Sequence, residues 1–170
     1  ASRLASEKNL DVLIRAVVQA KTTIPELTFD IYGEGKKEPL FKLIKELNAQ
    51  GYITLKGHHK LKGVYQKYGT YLSASQSEGF GLTILEAIGE SLPVIGLNVE
   101  YGNTTMVKEN GILIEHTTLK ENTKKMTEAI LQMYQGDFLP QARKKSAQIA
   151  RNYLQDEIAK KWVKLLEDKG

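Results

Sequence analysis

Two glutamates, Glu78 and Glu86, lie on either side of a glycine-rich turn that opens a predicted helix. Gly79 and Gly81 in that turn let the backbone approach an anion closely. The first amides of a helix lack intrahelical acceptors, and the helix dipole adds partial positive charge at that end. Carboxylates repel phosphate, so we expect the two acids to accept hydrogen bonds from hydroxyl groups on either side of a diphosphate. The stretch therefore predicts a ligand that carries both phosphates and sugar hydroxyls.

Two cations, Arg3 and Lys8, lie at the start of the first predicted helix. Positive charge there opposes the helix dipole, which is unfavourable unless an anion is bound. A charge-assisted hydrogen bond to phosphate contributes about 1.5 to 3 kcal/mol, whereas an exposed surface pair contributes roughly 0 to 1 kcal/mol. In isolation the two residues fit an ordinary solvated surface. Beside the glycine-rich turn, we favour a phosphate-binding role.

Three further segments place polar groups after predicted strands. Gly33-Glu34-Gly35 resembles part of a phosphate loop, although a plain strand-to-helix turn explains it more simply. Gly57-His58-His59 could hydrogen-bond and stack on a nucleobase, or its histidines could simply be exposed. A metal pair there is disfavoured, because no third ligand stands at companion spacing. Tyr101-Gly102-Asn103-Thr104-Thr105 could line a sugar pocket or cap the following short helix.

Helical and strand patterns alternate along the chain. Apolar residues at helical spacing predict helices from Leu10 and from Pro39, short helical segments at 61–68 and 105–107, and a wholly helical region from 119 to 166. Breaks in that region are expected near 136–140 and 152–155. Predicted strands cover 28–32, 52–55, 70–74, 93–97 and 111–114. The alternation predicts an α/β fold: a Rossmann-like doubly wound parallel sheet with helices on both faces, a helical C-terminal segment, and ligands beyond the carboxyl ends of the strands.

The composition is typical of a single globular domain, since 170 residues can bury one sizeable core. The net charge of +4 fits a phosphorylated ligand or simple solubility. No nucleic-acid partner is expected, because the charge is spread and aromatic residues do not interleave with a basic run. Cysteine is absent, which excludes disulfides and fits a reducing cytoplasm. Residues 1–4 resemble the end of a strand entering a loop, so we expect a fragment of a longer protein.

Several enzyme classes lose support from the sequence. Ser73, Ser75 and Ser77 lack a matched base and a nucleophile-elbow sequence, which disfavours a hydrolase. Neither a P-loop nor a full dinucleotide-binding glycine fingerprint occurs, which disfavours kinases and dehydrogenases. No apolar run approaches the roughly 20 residues needed to span a bilayer, and no signal segment begins the sequence.

Four motifs, in this order and spacing, resemble the C-terminal, donor-binding half of GT-B retaining glycosyltransferases of family 4. They are Arg3-Leu4 with Glu7-Lys8-Asn9, Ile31-Tyr32-Gly33-Glu34-Gly35, Glu78-Gly79-Phe80-Gly81 with Glu86-Ala87, and Leu92-Pro93-Val94-Ile95. The resemblance implies that residues 1–170 form a nucleotide-sugar binding domain whose acceptor-binding N-terminal domain lies outside this sequence. The residues of these motifs are most similar to those of firmicute enzymes that modify surface polymers. Of these, the group that adds N-acetylglucosamine to Ser/Thr-rich adhesins is favoured over the group that glucosylates poly(glycerol phosphate) teichoic acid.

The resemblance also implies roles for individual residues. Arg3 and Lys8 would hold the diphosphate, Glu78 would orient the donor sugar and Glu86 would hold the ribose. Amides at 81–83 would meet phosphate, and the loop at 57–59 would hold uracil. The expected catalytic residues are Glu78, Arg3 and Lys8, and the expected nucleotide-sugar site comprises Arg3, Lys8, Gly33, His58, His59, Glu78, Gly79, Phe80, Gly81, Leu82, Thr83 and Glu86.

The chemistry of these residues and the family resemblance both predict cleavage of a sugar–diphosphate bond. Breaking a sugar–diphosphate bond develops negative charge on the leaving group, which cations and helix amides can stabilise as a metal otherwise would. The resemblance implies front-side transfer with retention, a UDP-sugar donor and no metal. Expected partners are the N-terminal half of the enzyme, a partner glycosyltransferase subunit, and a protein or teichoic acid acceptor. The expected location is the cytoplasm, including the inner face of the membrane, and the chain alone should bind donor without transferring sugar.

Two positions depart from the resembled pattern. Thr105 stands where many members have Glu, which leaves sugar selectivity open, and Ser91 stands where Gly is usual. The second departure costs about 1 kcal/mol if the position needs a positive φ. Two other functions stay open as alternatives: a non-catalytic nucleotide-sugar binding module, and a helix-covered sheet that binds protein partners.

Overall fold

Helices and strands alternate along the chain, as the sequence patterns predict. A computed structural model describes residues 1–77, 79–99, 103–154 and 156–160. Its strands are β1 (Phe29–Tyr32), β2 (Ile53–Gly57), β3 (Tyr71–Ser73), β4 (Val94–Asn98) and β5 (Gly111–Glu115). Its α-helices are α1 (Leu10–Lys21), α2 (Glu38–Glu46), α3 (Leu82–Gly89), α4 (Asn103–Met106), α5 (Leu119–Met133) and α6 (Phe138–Arg151), with short 3-10 helices at Ser6–Lys8 and Tyr65–Lys67. Within the described ranges no helix combines the length and apolarity that crossing a bilayer requires.

The helical predictions differ from the structure mainly in extent. The segment predicted at 61–68 contains only the 3-10 turn Tyr65–Lys67, and the turn predicted at 105–107 begins earlier, at Asn103. The predicted break near 136–140 separates α5 from α6, and Gly136 there has φ 51°. Pro140 lies in the first turn of α6, where its missing amide removes no intrahelical bond. The predicted helical region beyond residue 160 lies outside the described residues.

All strand pairs are parallel, and they form two sheets. One sheet joins β1 to β2, and in the other β4 lies between β3 and β5. Strands β1 and β3 both line a cavity of about 240 Å³. Within each sheet the carboxyl ends of parallel strands share one edge. The predicted ligand segments at 33–35, 57–59 and 79–83 follow β1, β2 and β3 at these edges.

Helices cover both faces of the larger sheet. In β4 the consecutive residues Val94 and Ile95 are fully buried, but they belong to different hydrophobic clusters. Side chains alternate between the faces of a strand, so each face of the sheet packs against its own core. Leu13 of α1 and Met126 of α5 belong to one core, and Ile84 of α3 belongs to the other. The predicted doubly wound α/β fold is therefore confirmed.

Ser91, which follows α3, adopts a left-handed conformation with φ 65°. The position therefore has the positive φ at which a residue other than glycine is strained. A non-glycine residue in this region is destabilised by about 1 to 2 kcal/mol. Because the strain lies at the amino-terminal approach to β4, it affects stability rather than the edge where the ligand segments lie.

Candidate functional site

The glycine-rich turn opens α3, as the sequence predicts. Gly81 immediately precedes the helix with φ 76° and ψ 47°, a left-handed conformation that glycine adopts without strain. The amides of Ile84 and Leu85 donate to its carbonyl oxygen. No side chain of the described residues caps this helix, so the amides of Leu82 and Thr83, which precede the first intrahelical bonds, are available to an anion.

The side chains around this turn are open to solvent. Phe80 is 54% exposed and Leu82 is 65% exposed. The Phe80 ring packs edge-on against Tyr153 at a centroid distance of 6.4 Å, and Gly79 has no atom within 4 Å of a hypothetical Cβ. A ligand could therefore approach the backbone closely here. Glu78 lies outside the described residues, so its role toward the sugar stays a prediction.

Two tyrosines hold the first turns of α3. The Tyr71 hydroxyl lies 2.8 Å from the Ala1 carbonyl oxygen and 3.0 Å from Thr83 Oγ1. This phenol brings the segment that bears Arg3 next to the start of α3. The Tyr65 hydroxyl donates to Glu86 Oε2 at 3.2 Å.

Tyr65 remains a hydrogen-bond donor at neutral pH. Burial raises the pKa of its phenol, and the nearby Tyr71 and Glu86 raise it further. The bond to Tyr65 restricts the Glu86 carboxylate, which is itself on an exposed residue. The second Glu86 oxygen can therefore accept from a ligand hydroxyl without a large reorientation of the side chain, as the predicted ribose contact requires.

The turn that carries the two cations lies against the loop after β3. The Gln76 amide donates to the Glu7 carbonyl oxygen at 3.0 Å. Arg3 pairs with Glu7 at 3.1 Å, and its side chain is 80% exposed. Lys8 is half-buried and lines the cavity beside β1 and β3. Cations and helix amides are thus held on neighbouring loops, an arrangement that suits a diphosphate.

Gly33 makes a close backbone contact. Its φ is 147°, and a Cβ at this position would lie 1.7 Å from the Ser2 carbonyl oxygen. The Ser2 amide donates to Tyr32 at 3.0 Å, and the Leu4 amide donates to Glu34 at 2.7 Å. Glycine therefore lets the segment around Arg3 pack on the end of β1. A direct contact of Gly33 with the ligand stays a prediction.

The two histidines of the predicted base-binding loop are exposed. His59 Nε2 lies 2.8 Å from the Lys56 carbonyl oxygen, and its ring meets Tyr32 edge-on at 5.7 Å. Gly57 turns the chain with φ 76°. These contacts orient the His59 ring.

Asn103 is the first described residue of the segment predicted to line a sugar pocket or to cap a short helix. Asn103 is fully buried and donates from Nδ2 to the Leu97 carbonyl oxygen at 2.9 Å. Its side chain thus ties α4 to β4, while its Oδ1 has no hydrogen-bond partner among the described residues, so a role in lining the sugar pocket stays a prediction. Tyr101 and Gly102 lie outside the described residues.

Sequence reasoning missed the tyrosines that support the site. Tyr65 and Tyr71 lie 21 and 12 residues from their α3 partners, so no local motif links them. In the sequence they are only apolar positions of predicted elements, Tyr65 in the helical segment at 61–68 and Tyr71 in the strand at 70–74. Among the described residues no group of three His, Asp or Glu side chains could hold a metal ion.

The chain is similar in sequence to known glycosyltransferases. The chain is 47% identical over 174 residues to the UDP-N-acetylglucosamine–peptide N-acetylglucosaminyltransferase GtfA subunit of Streptococcus pneumoniae, covering 99% of this chain and 35% of the relative. It is 31% identical over 167 residues to the poly(glycerol-phosphate) α-glucosyltransferase of Bacillus subtilis, covering 95% of this chain and 24% of the relative. The chain therefore spans about a third or less of these relatives.

The fold matches a solved structure closely. The crystal structure of the pneumococcal O-GlcNAc transferase GtfA in complex with UDP and GlcNAc superposes with a TM-score of 0.91 at 45% identity, covering 98% of this chain and 34% of that chain. The family described as glycosyl transferases group 1 matches residues 1–168. Because this family model matches nearly all of the sequence, the chain belongs to the group 1 glycosyl transferases.

Proposed function

We propose that residues 1–170 are the donor-binding domain of a retaining glycosyltransferase and that they bind a UDP-sugar. The observation that carries the proposal is the meeting of two regions at Tyr71, whose hydroxyl contacts both Ala1 and Thr83. It places the cation-bearing segment beside the uncapped start of α3. One diphosphate can then reach cationic side chains and helix amides together.

In this proposal Arg3, Lys8 and the α3 amides stabilise the charge that develops on the departing UDP. Their positive charge makes a metal unnecessary, so binding should not need a divalent ion. Glu86 accepts from the ribose, with Tyr65 holding its other oxygen. Glu78 orients the sugar without forming a covalent bond to it, which is compatible with retention through front-side transfer.

The favoured donor is UDP-N-acetylglucosamine, and the favoured acceptor is a Ser/Thr-rich protein. Sequence identity supports this choice, since the chain is 47% identical to the streptococcal peptide N-acetylglucosaminyltransferase and only 31% identical to the Bacillus glucosyltransferase. UDP-glucose and a teichoic acid acceptor form the second candidate, because that relative also matches 95% of the chain. The acceptor site belongs to the remaining part of a longer enzyme, which we place in the cytoplasm.

A partner subunit is part of the proposal, because the streptococcal relative is itself named as a subunit. The chain alone should bind donor and transfer no sugar. Appreciable transfer by the 170 residues would show that acceptor chemistry lies within them and would contradict this division of labour.

Isothermal titration calorimetry tests the proposal directly. The chain is titrated with UDP, ADP, GDP and uridine, each with and without EDTA. We expect UDP to bind most tightly and EDTA to leave its affinity unchanged. Equal affinity for the three diphosphates would remove the uracil-binding role of the loop at 57–59. Absence of binding to all of them would overturn the donor-domain function for this chain.

A further inference from the structure

Asn9 occupies the junction between the 3-10 turn Ser6–Lys8 and α1, in a left-handed conformation with φ 44° and ψ 46°. It is the residue before α1, where an asparagine side chain usually caps the first helical amides. Here the side chain makes no capping bond. The Val12 amide donates instead to the backbone carbonyl oxygen of Asn9, at 3.1 Å. The side chain is therefore available for another contact.

That contact is with the loop after β3. Asn9 Nδ2 donates to the Ala74 carbonyl oxygen at 3.0 Å, and Gln76 Nε2 lies 3.5 Å from Asn9 Oδ1. Asn9 is only 6% exposed, so its amide is desolvated and depends on these partners. With the backbone bond from Gln76 to Glu7 at 3.0 Å, the two segments are joined on both sides of Lys8.

The join matters because each segment supplies a different part of the candidate site. The turn carries Lys8, and the loop leads into Gly81 and the uncapped amides of α3. Neither the Ser6–Lys8 turn nor the loop after β3 is a strand, so the hydrogen bonds between them contribute directly to the separation of the cation from the amides. Misplacement of binding groups by about 1 Å can cost on the order of a hundredfold in a reaction rate.

We propose that Asn9 is a positioning residue for the diphosphate: it does not touch the ligand, but holds the Lys8 turn against the loop that leads into α3. This inference rests on the proposed donor-binding function. It predicts that loss of the Asn9 side chain weakens recognition of the diphosphate while leaving recognition of the nucleoside intact.

The matched variants are Asn9→Gly and Asn48→Gly. Asn48 also adopts a left-handed conformation, with φ 52°, but it is exposed and lies after α2, in the connection to β2. Glycine accepts positive φ at both positions, so the two changes have similar backbone costs. Affinities for UDP and for uridine are measured by calorimetry and ligand-observed NMR, and folding by thermal denaturation.

We expect Asn9→Gly to weaken UDP binding about tenfold, the effect of weakening one charge-assisted hydrogen bond to the diphosphate, and to leave uridine binding unchanged. Asn48→Gly should change neither affinity. Equal weakening of UDP and uridine, or unchanged UDP affinity, would overturn the positioning role. If wild-type protein binds no UDP, the donor-binding function itself fails, which is a distinct result.

A second variant covers the case in which Asn9→Gly does not fold. Gln76 is exposed, so Gln76→Ala removes only its side-chain contact with Asn9. We expect a smaller loss, about two- to threefold for the weaker hydrogen bond, again for UDP and not for uridine. An unchanged ratio of the two affinities in Gln76→Ala would then decide against the proposal.

Discussion

Replacing Arg3 with alanine should separate ligand binding from stability. The Arg3 side chain is 80% exposed and pairs with Glu7 at 3.1 Å. An exposed pair of this kind contributes about 0 to 1 kcal/mol to folding, so the free energy of unfolding should change by less than about 1 kcal/mol. Loss of a charge-assisted hydrogen bond to the diphosphate costs about 1.5 to 3 kcal/mol. The dissociation constant for UDP should therefore rise about 10- to 150-fold.

Lys42→Ala provides the matched control. Lys42 is also 80% exposed and also pairs with a glutamate four residues later, Glu46, at 3.9 Å. Both variants remove one positive charge and one surface ion pair. Calorimetry with UDP and uridine should show a UDP-specific loss for Arg3→Ala and little change for Lys42→Ala. Equal losses in the two variants would mean that UDP senses only net charge, and the reasoning about Arg3 would be refuted.

Glu7 allows the same reasoning to be tested with the opposite sign. A phosphate that binds Arg3 must compete with the Glu7 carboxylate, which also adds negative charge near the ligand. Glu7→Ala should therefore strengthen UDP binding, by up to about fivefold if the exposed pair contributes up to about 1 kcal/mol. The same titration measures this effect. Weaker UDP binding in Glu7→Ala would indicate that the ion pair orients Arg3 rather than competing with the ligand.

Three further predictions concern the fold. Gly33→Ala should destabilise the protein by about 2 kcal/mol or more, because a Cβ would lie 1.7 Å from the Ser2 carbonyl oxygen. Chemical denaturation checks this against Gly51→Ala, where nothing lies within 4 Å of the new Cβ. Ser91→Gly should raise the free energy of unfolding by about 1 kcal/mol by relieving the φ of 65°, and an unchanged value would mean that greater chain entropy of the unfolded state cancels the gain. Burial and the hydrogen bond to a neighbouring carboxylate raise the pKa of Tyr68, so the folded state holds this proton more tightly than the unfolded state. Its stabilisation is complete below the ordinary tyrosine pKa and is lost as pH rises above it. Tyr68→Phe should flatten the fall in stability between about pH 9 and pH 11, and identical slopes would contradict this assignment.

The sequence predicts most of the elements because their signals are local. Apolar periodicity predicts α1 and α2, and the glycine-rich turn predicts a helix start that the structure confirms at Gly81 with φ 76°. The division of the strands into two sheets is not predicted, because periodicity identifies a strand without saying which edges pair. The same limit explains Gly33. The sequence leaves Gly33 open between a phosphate loop and a plain strand-to-helix turn, and it does not indicate the close approach of Gly33 to Ser2, a residue 31 positions earlier in the sequence.

The charged residues of the candidate site can be recognised in the sequence, whereas the residues that position them are recognised only in the structure. Arg3 and Lys8 belong to recognisable motifs, whereas the bonds that hold their segment join Tyr71 to Ala1 over 70 positions and Asn9 to Ala74 over 65. Substitutions in the two groups should therefore share a ligand signature, weaker UDP binding with intact uridine binding, and differ in stability. Arg3 is exposed and its loss should leave folding nearly unchanged. Asn9 is buried and bonded, so its loss should lower the melting temperature as well, since a desolvated carbonyl is left without its donor.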